Sequence, residues 1–211
     1  ATSTDHDPGV LTKGLGRVFH SSGNSLKYYA SCGHTHSAIE ATLKAWKPLQ
    51  APVAAIKYIT VNLYREALDL LEDVEASTPY LAKFNLPFCV ATAICHGHVD
   101  LDDFSEDKLR DPDIRRLMGL VSLHSDPELT SQYPLKWPSK VEIELVDGTT
   151  SQGYSEHSKG DPENPFSEKE LIEKFGKLIG NELSDQEKDR ICSTILHLEE
   201  VNDVNDIFGG G

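Results

Sequence analysis

Cysteine is scarce in this chain: Cys32, Cys89, Cys95 and Cys192 are the only four in 211 residues. They lie mostly inside apolar segments, which argues for reduced thiols and against a disulfide framework. Basic residues are also in deficit, 20 against 34 acidic ones, for a net charge of −14. Such a surface repels phosphates and anionic headgroups, so the expected partners include no nucleic acid and no membrane. No apolar run approaches the roughly 20 residues needed to span a bilayer. The start, Ala1 to Val10, is polar and lacks a signal-peptide pattern, and the reduced thiols lead us to expect a cytoplasmic protein. Repeats and low-complexity tracts are missing. Gly14-Leu15-Gly16 lacks both the third glycine and the preceding strand of a phosphate-binding loop. The hydrophobic fraction, 38%, is nevertheless that of a globular rather than a disordered chain. The acidity fits a high-salt habitat or an ordinary acidic protein. In either case an anionic substrate requires a local cationic pocket.

The periodicities predict an α+β fold with a small antiparallel or mixed sheet of three to five strands. Ala38, Ile39, Leu43 and Trp46 fall on one side of a helix over residues 36–46. Residues 53–63 read as a strand, with Ile56, Tyr58 and Thr60 alternating against Ile59 and Val61. A short helical turn is expected at 66–71, and one apolar helix over 81–95, preceded by Pro79 and ending near Gly97. Ser105 and Asp111-Pro112 each start a short helix, and residues 120–124 form a strand. Val141, Ile143 and Leu145 alternate with Glu142 and Glu144 before the Asp147-Gly148 turn, which predicts a hairpin returning through 149–154. Ser167 and Glu170 predict a capping box, and Ile191, Ile195 and Leu198 form the stripe of a last helix over 185–198. A frayed tail is expected at Gly209–Gly211.

The chemistry is concentrated in Lys27-Tyr28-Tyr29-Ala30-Ser31-Cys32-Gly33-His34-Thr35-His36. One ammonium, one thiol and two imidazoles make a cationic, proton-transferring group suited to polycarboxylates. The same residues also read as a basic loop before a helix starting at Thr35, with both imidazoles merely solvated. In an extended segment Cys32, His34 and His36 would share a face. Cys95, His96 and His98 form a second soft cluster. Neither spacing is a usual structural zinc pattern, and no metal is expected. Lys159-Gly160-Asp161-Pro162-Glu163-Asn164-Pro165 reads either as a connector with turn chemistry or as a loop that turns Lys159 toward a site or a partner.

Four motifs then fall into a recognisable order. Lys27 to Glu40 resembles the pattern of the MmgE/PrpD family, Lys-Pro-Tyr followed by Cys, His and Ala-Ile-Asp. Ala82-Lys83-Phe84-Asn85-Leu86-Pro87-Phe88-Cys89-Val90-Ala91 is similar to its Ala-Arg-Phe-Ser-Leu-Pro-Tyr-x-Val-Ala. Trp137-Pro138 and the Lys159 loop complete the set. That family includes 2-methylcitrate dehydratase and cis-aconitate decarboxylase. The resemblance implies a two-domain, homodimeric, cofactor-independent lyase or isomerase acting on small di- or tricarboxylates, most like 2-methylcitrate dehydratase. It implies that residues 1–25 connect from an N-terminal helical domain, 26–161 form the α+β domain, and 162–211 return as helices to the missing one. The site would lie between the domains, with several acid/base residues on the missing one, so that this chain alone would be inactive. Lys27 matches a site lysine, and His34 and His36 are the accompanying catalytic candidates. Phe88 stands where the family has a site tyrosine, and with Lys83 and Lys159 it is a candidate for substrate binding. Tyr28 replaces the family's proline. The alternative is a non-catalytic domain, or a subunit completed by a separate helical chain.

Overall fold

Alternation of β-branched and polar residues builds a four-stranded mixed sheet in the computed structural model, which describes residues 7–207. The strands are β1 (Ile56–Leu63), β2 (Val121–Ser125), β3 (Ser139–Leu145) and β4 (Thr150–Ser155), in the spatial order β2-β1-β3-β4. β1 and β2 run parallel, whereas β1–β3 and the β3–β4 hairpin are antiparallel. The helices are α1 (Gly33–Trp46), α2 (Arg65–Leu71), α3 (Pro79–Ala82), α4 (Leu86–His96), α5 (Glu106–Leu109), α6 (Pro112–Met118), α7 (Pro127–Thr130), α8 (Glu168–Ile179) and α9 (Asp185–Leu196). The fold is α+β, as the periodicities predict. Residues 1–6 and the Gly209–Gly211 tail lie outside the described residues.

One face of the sheet is core. Ile59, Val61 and Leu63 of β1 and Val141, Ile143 and Leu145 of β3 are buried together. The opposite face carries Glu142, bonded to Gln152, and Glu144, 2.8 Å from Lys57. These glutamates are half-buried among cross-strand partners rather than fully solvated. Ile56 departs from the expected alternation. The β1–β3 register shifts between Ile56 and Tyr58, and this irregularity returns Ile56 to the buried face with Ile59 and Val61. The single helix expected over 81–95 is two. Asn85 accepts the Phe88 N–H at 2.7 Å and Pro87 occupies the first turn of α4, so a new helix starts where a continuous one would need a proline in its interior.

α1 packs on β3 and β4, and α4 packs on α1 and α6. The approach of α1 to β4 is very close. A Cβ built on Gly153 would sit 1.9 Å from the Ala41 carbonyl oxygen and 2.7 Å from the Ala45 nitrogen. Only a residue without a side chain fits there. Ser37 and Ser139 hydroxyls, 2.8 Å apart and buried, make a second tie between α1 and the sheet.

Phe166–Gly211 is a separate compact unit. Ser167 and Ser184 each begin a helix with a capping box, through Glu170 and Glu187. α9 ends at Leu196 instead of 198, and of its expected stripe Ile191 is buried while Ile195 and Leu198 are exposed. No residue of α8 is buried, and Leu171, Ile172 and Leu178 are exposed. No helix among the described residues is long and apolar enough to cross a membrane.

The seat of α1 is directly testable. Gly153→Ala places a methyl group against a backbone carbonyl that cannot rotate away, so unfolding in urea should show a loss of about 2 kcal/mol or more. A denaturation midpoint equal to that of the parent chain would show that the helix is not held there.

Candidate functional site

The strand registers align Ser125, Leu63, Ser139 and Ser155 in one row across the sheet. Beyond that row emerge the turn at Tyr64, the 126–138 segment and the loop that follows β4. The N-terminus of α1 arrives at the same end, since Ser37 bonds Ser139 there. The register therefore brings His34, Tyr64, Tyr133 and Trp137 together from distant parts of the sequence.

α1 starts at Gly33, two residues earlier than the expected Thr35, with Cys32 as its N-cap. The Cys32 N–H donates to the Lys83 carbonyl at 2.8 Å, and the Thr35 hydroxyl donates to the Cys32 carbonyl at 2.7 Å. Because this segment is helical, His34 and His36 do not share a face, which removes the extended arrangement of Cys32, His34 and His36. His34 is half-buried, and its Nδ1 is 2.5 Å from the Tyr64 hydroxyl. Its ring lies parallel on Trp137, with centroids 4.4 Å apart and planes 4° from coplanar. Tyr64 stacks in turn on Tyr133 at 4.9 Å. Burial lowers the His34 pKa, outweighing an upward pull from Glu66, and the Lys27 charge adds a smaller downward push. Burial raises that of Tyr64 far above its ordinary value, so the phenol stays protonated.

The Lys27 side chain is exposed and bends back over the start of α1, where Nζ donates to the Ser31 carbonyl at 3.1 Å. An ammonium, the positive end of a fourteen-residue helix and a neutral imidazole thus share one neighbourhood, with Glu66 as the acid that acts on the imidazole.

Other candidate residues occupy different positions. His36 is buried, edge-on to Tyr29 at 5.3 Å, with Nε2 3.4 Å from the Ser31 carbonyl. It supports the Lys27 loop from within. Phe88 is fully buried in the core against Phe104, so it brings no atom to this surface. The Lys83 ammonium lies 5.7 Å from the centroid of the Phe104 ring, while its carbonyl holds α1. Cys89 is buried too, and burial pushes its thiol up to about 12. In the second soft cluster, the buried Asp103 carboxylate lies 2.7 Å from His96 Nδ1 and 3.2 Å from His98 Nδ1. Among the described residues no group of three His, Cys, Asp or Glu could hold a metal ion.

Glu40 is the residue that spacing did not single out for a role. Its carboxylate, nearly buried, accepts the Ser155 hydroxyl at 3.1 Å and the Lys159 N–H. Ser158 N–H bonds Asp161, and the Leu26 N–H donates to the Gly160 carbonyl at 2.9 Å. Gly160 has φ 96°, a conformation that side chains disfavour. The Lys159 loop is therefore a structural strap from α1 to the residue preceding Lys27. The available signal was an acid inside the apolar run Ala38-Ile39-Glu40-Ala41, a position where a charge needs partners.

Residues 29–200 match the MmgE/PrpD C-terminal domain. A cis-aconitate decarboxylase-like protein of Aspergillus oryzae is 25% identical over 96% of this chain and 43% of its own length. The cis-aconitate decarboxylase of Aspergillus terreus is 22% identical over 94% of this chain and 42% of its own. The human cis-aconitate decarboxylase is 22% identical over 58% of this chain and 25% of its own length. The chain thus spans less than half the length of these curated relatives.

Glu40→Ala should free the strap. The Lys159 amide would lose its acceptor, stability should fall by about 1–3 kcal/mol, and hydrogen exchange at Lys159 should accelerate. Glu40→Gln keeps an acceptor and should lose less. Unchanged exchange at Lys159 in the alanine variant would remove Glu40 from this role.

Proposed function

This chain belongs to the MmgE/PrpD family, and on that premise we propose that it forms one wall of a lyase site for small di- or tricarboxylates. The observation that carries this reading is the Lys27 ammonium tied to Ser31 at the start of α1, beside a half-buried His34. A carboxylate is the ligand such a group suits, through the ammonium and the first helical N–H groups. The relatives' names favour cis-aconitate within this class. 2-Methylcitrate is the second candidate, with loss of water as its reaction.

Both reactions share one difficulty, negative charge on a carbon next to a carboxylate. In decarboxylation the bond to the departing carboxylate breaks, its electron pair stays on carbon, and a proton is then taken up there. In dehydration a base takes the proton from carbon first, and the hydroxyl on the adjacent carbon then leaves as water with a proton supplied by an acid group. In each case the neighbouring carboxylate spreads the developing charge. Lys27 anchors that group, and the helix N-terminus and His34 donate to its oxygens as the charge grows. Tyr133, Tyr64 and Trp137 form an aromatic backing behind His34. His36 and Lys159 act through the scaffold, and Phe88 packs in the core, without touching the substrate.

The proposal places the opposite wall, with further acid/base groups, on a helical domain, which the more than twofold greater length of the relatives can accommodate. The exposed apolar residues of α8 fit a helix made to be covered by such a domain. A homodimeric cytoplasmic enzyme without a cofactor completes this reading. An in-frame upstream continuation of the coding region would supply that domain covalently, whereas an adjacent separate reading frame would supply it as a subunit.

The product of the complete coding region should turn over cis-aconitate, 2-methylcitrate or a close polycarboxylate. Lys27→Ala should lower kcat/KM by about 100-fold or more, as losing one charge-stabilising donor does elsewhere. Near-parental kcat/KM in that variant, on the best substrate of the panel, would take Lys27 out of the reaction.

A further inference from the structure

We propose that Tyr64 is a positioning residue that holds His34 in its neutral Nε2–H tautomer, with Trp137 fixing the plane of the ring. The inference rests on the reading of His34 as a substrate-facing donor, and adds which proton it carries and why.

Tyr64 is fully buried, and the hydrogen-bond partner the structure gives its hydroxyl is His34 Nδ1 at 2.5 Å. A buried phenol needs an acceptor for its proton, and an imidazole lone pair is a better acceptor than a phenol oxygen. The O–H therefore donates to Nδ1. A neutral imidazole that accepts at Nδ1 must carry its own proton on Nε2. Among the described residues the hydrogen bond given to His34 is the one at Nδ1, which leaves the Nε2 N–H for a ligand.

The surroundings agree with a neutral ring. Lys27 and Glu66 are the charged groups that act on His34, with opposite effects, and burial outweighs both. Tyr64 itself resists ionisation. The remaining degree of freedom, rotation of the ring, is restricted on one face by Trp137 at 4.4 Å. Trp137 is held by its position two residues before Ser139, whose hydroxyl is bonded to α1. Tautomer and orientation are thus set by two different neighbours, each placed by the sheet register.

A donor that is neutral at rest differs from an imidazolium in its effect. It hydrogen-bonds a carboxylate oxygen without binding the ground-state anion as strongly as a second full charge would. It can therefore contribute more as charge accumulates than before. Losing the tautomer would lower kcat more than it raises KM.

The test is long-range proton–nitrogen NMR of the histidine side chains, with His34 assigned by its absence in His34→Gln. At neutral pH the parent protein should show His34 protonated at Nε2 and unprotonated at Nδ1, with a titration midpoint below that of a free histidine. Tyr64→Phe keeps the buried ring and removes only the hydroxyl. It should give mixed tautomers and raise the midpoint, because the bond that occupied the Nδ1 lone pair is gone. A parent spectrum with the proton on Nδ1 would overturn the proposal whether or not the variant folds. So would a Tyr64→Phe protein with an unchanged tautomer and midpoint. These readouts need no turnover, so a failure of the lyase assignment leaves them intact, and their failure leaves the role of Lys27 standing.

Discussion

The seating of α1 against β4 at Gly153 governs the rest of this structure. A backbone-to-backbone approach that leaves no room for a Cβ fixes the helix more tightly than side-chain packing alone. From that seat three consequences follow along the helix. Ser37 reaches Ser139 and locates the N-terminus at one end of the sheet. Glu40 reaches past β4 and ties down the Lys159 strap. His34, one turn before Ser37, is carried to Tyr64 and Trp137. The position of the proposed chemistry is thus set by a contact remote from it.

The proposed site sets a local cluster of positive groups within an acidic protein. A net charge of −14 is a property of the whole sequence, whereas recognition acts over a few ångströms. Close to the start of α1 the positive groups are the Lys27 ammonium and the helix N-terminus. Glu66 is the acid that acts on His34, and burial outweighs its pull.

Much of this was legible from the amino-acid order. Alternation in 141–145 with the Asp147-Gly148 turn defines the hairpin, and Ser167 with Glu170 defines the start of α8. The density of cationic and titratable groups in 27–36 locates the candidate surface. What was not legible depended on contacts between distant residues. The shift that returns Ile56 to the core is a property of the β1–β3 pair, not of either strand. The break at Asn85 was local, but the continuous apolar pattern masked the proline and the cap. Phe88 and His36 look like site residues by motif, yet their burial depends on what α4 and the Tyr29 loop pack against. Tyr64 follows one strand, Trp137 precedes another, and nothing in sequence distance links either to His34.

The central claim is that a ligand carboxylate sits between Lys27 and His34 at the start of α1. The most direct measurement is a crystal structure of the complete coding product with propane-1,2,3-tricarboxylate, a tricarboxylate with neither a hydroxyl nor a double bond to react. The expected result is a carboxylate oxygen within hydrogen-bond distance of both Lys27 Nζ and His34 Nε2. A ligand whose carboxylates are all held elsewhere, with Lys27 still on the Ser31 carbonyl, would contradict it.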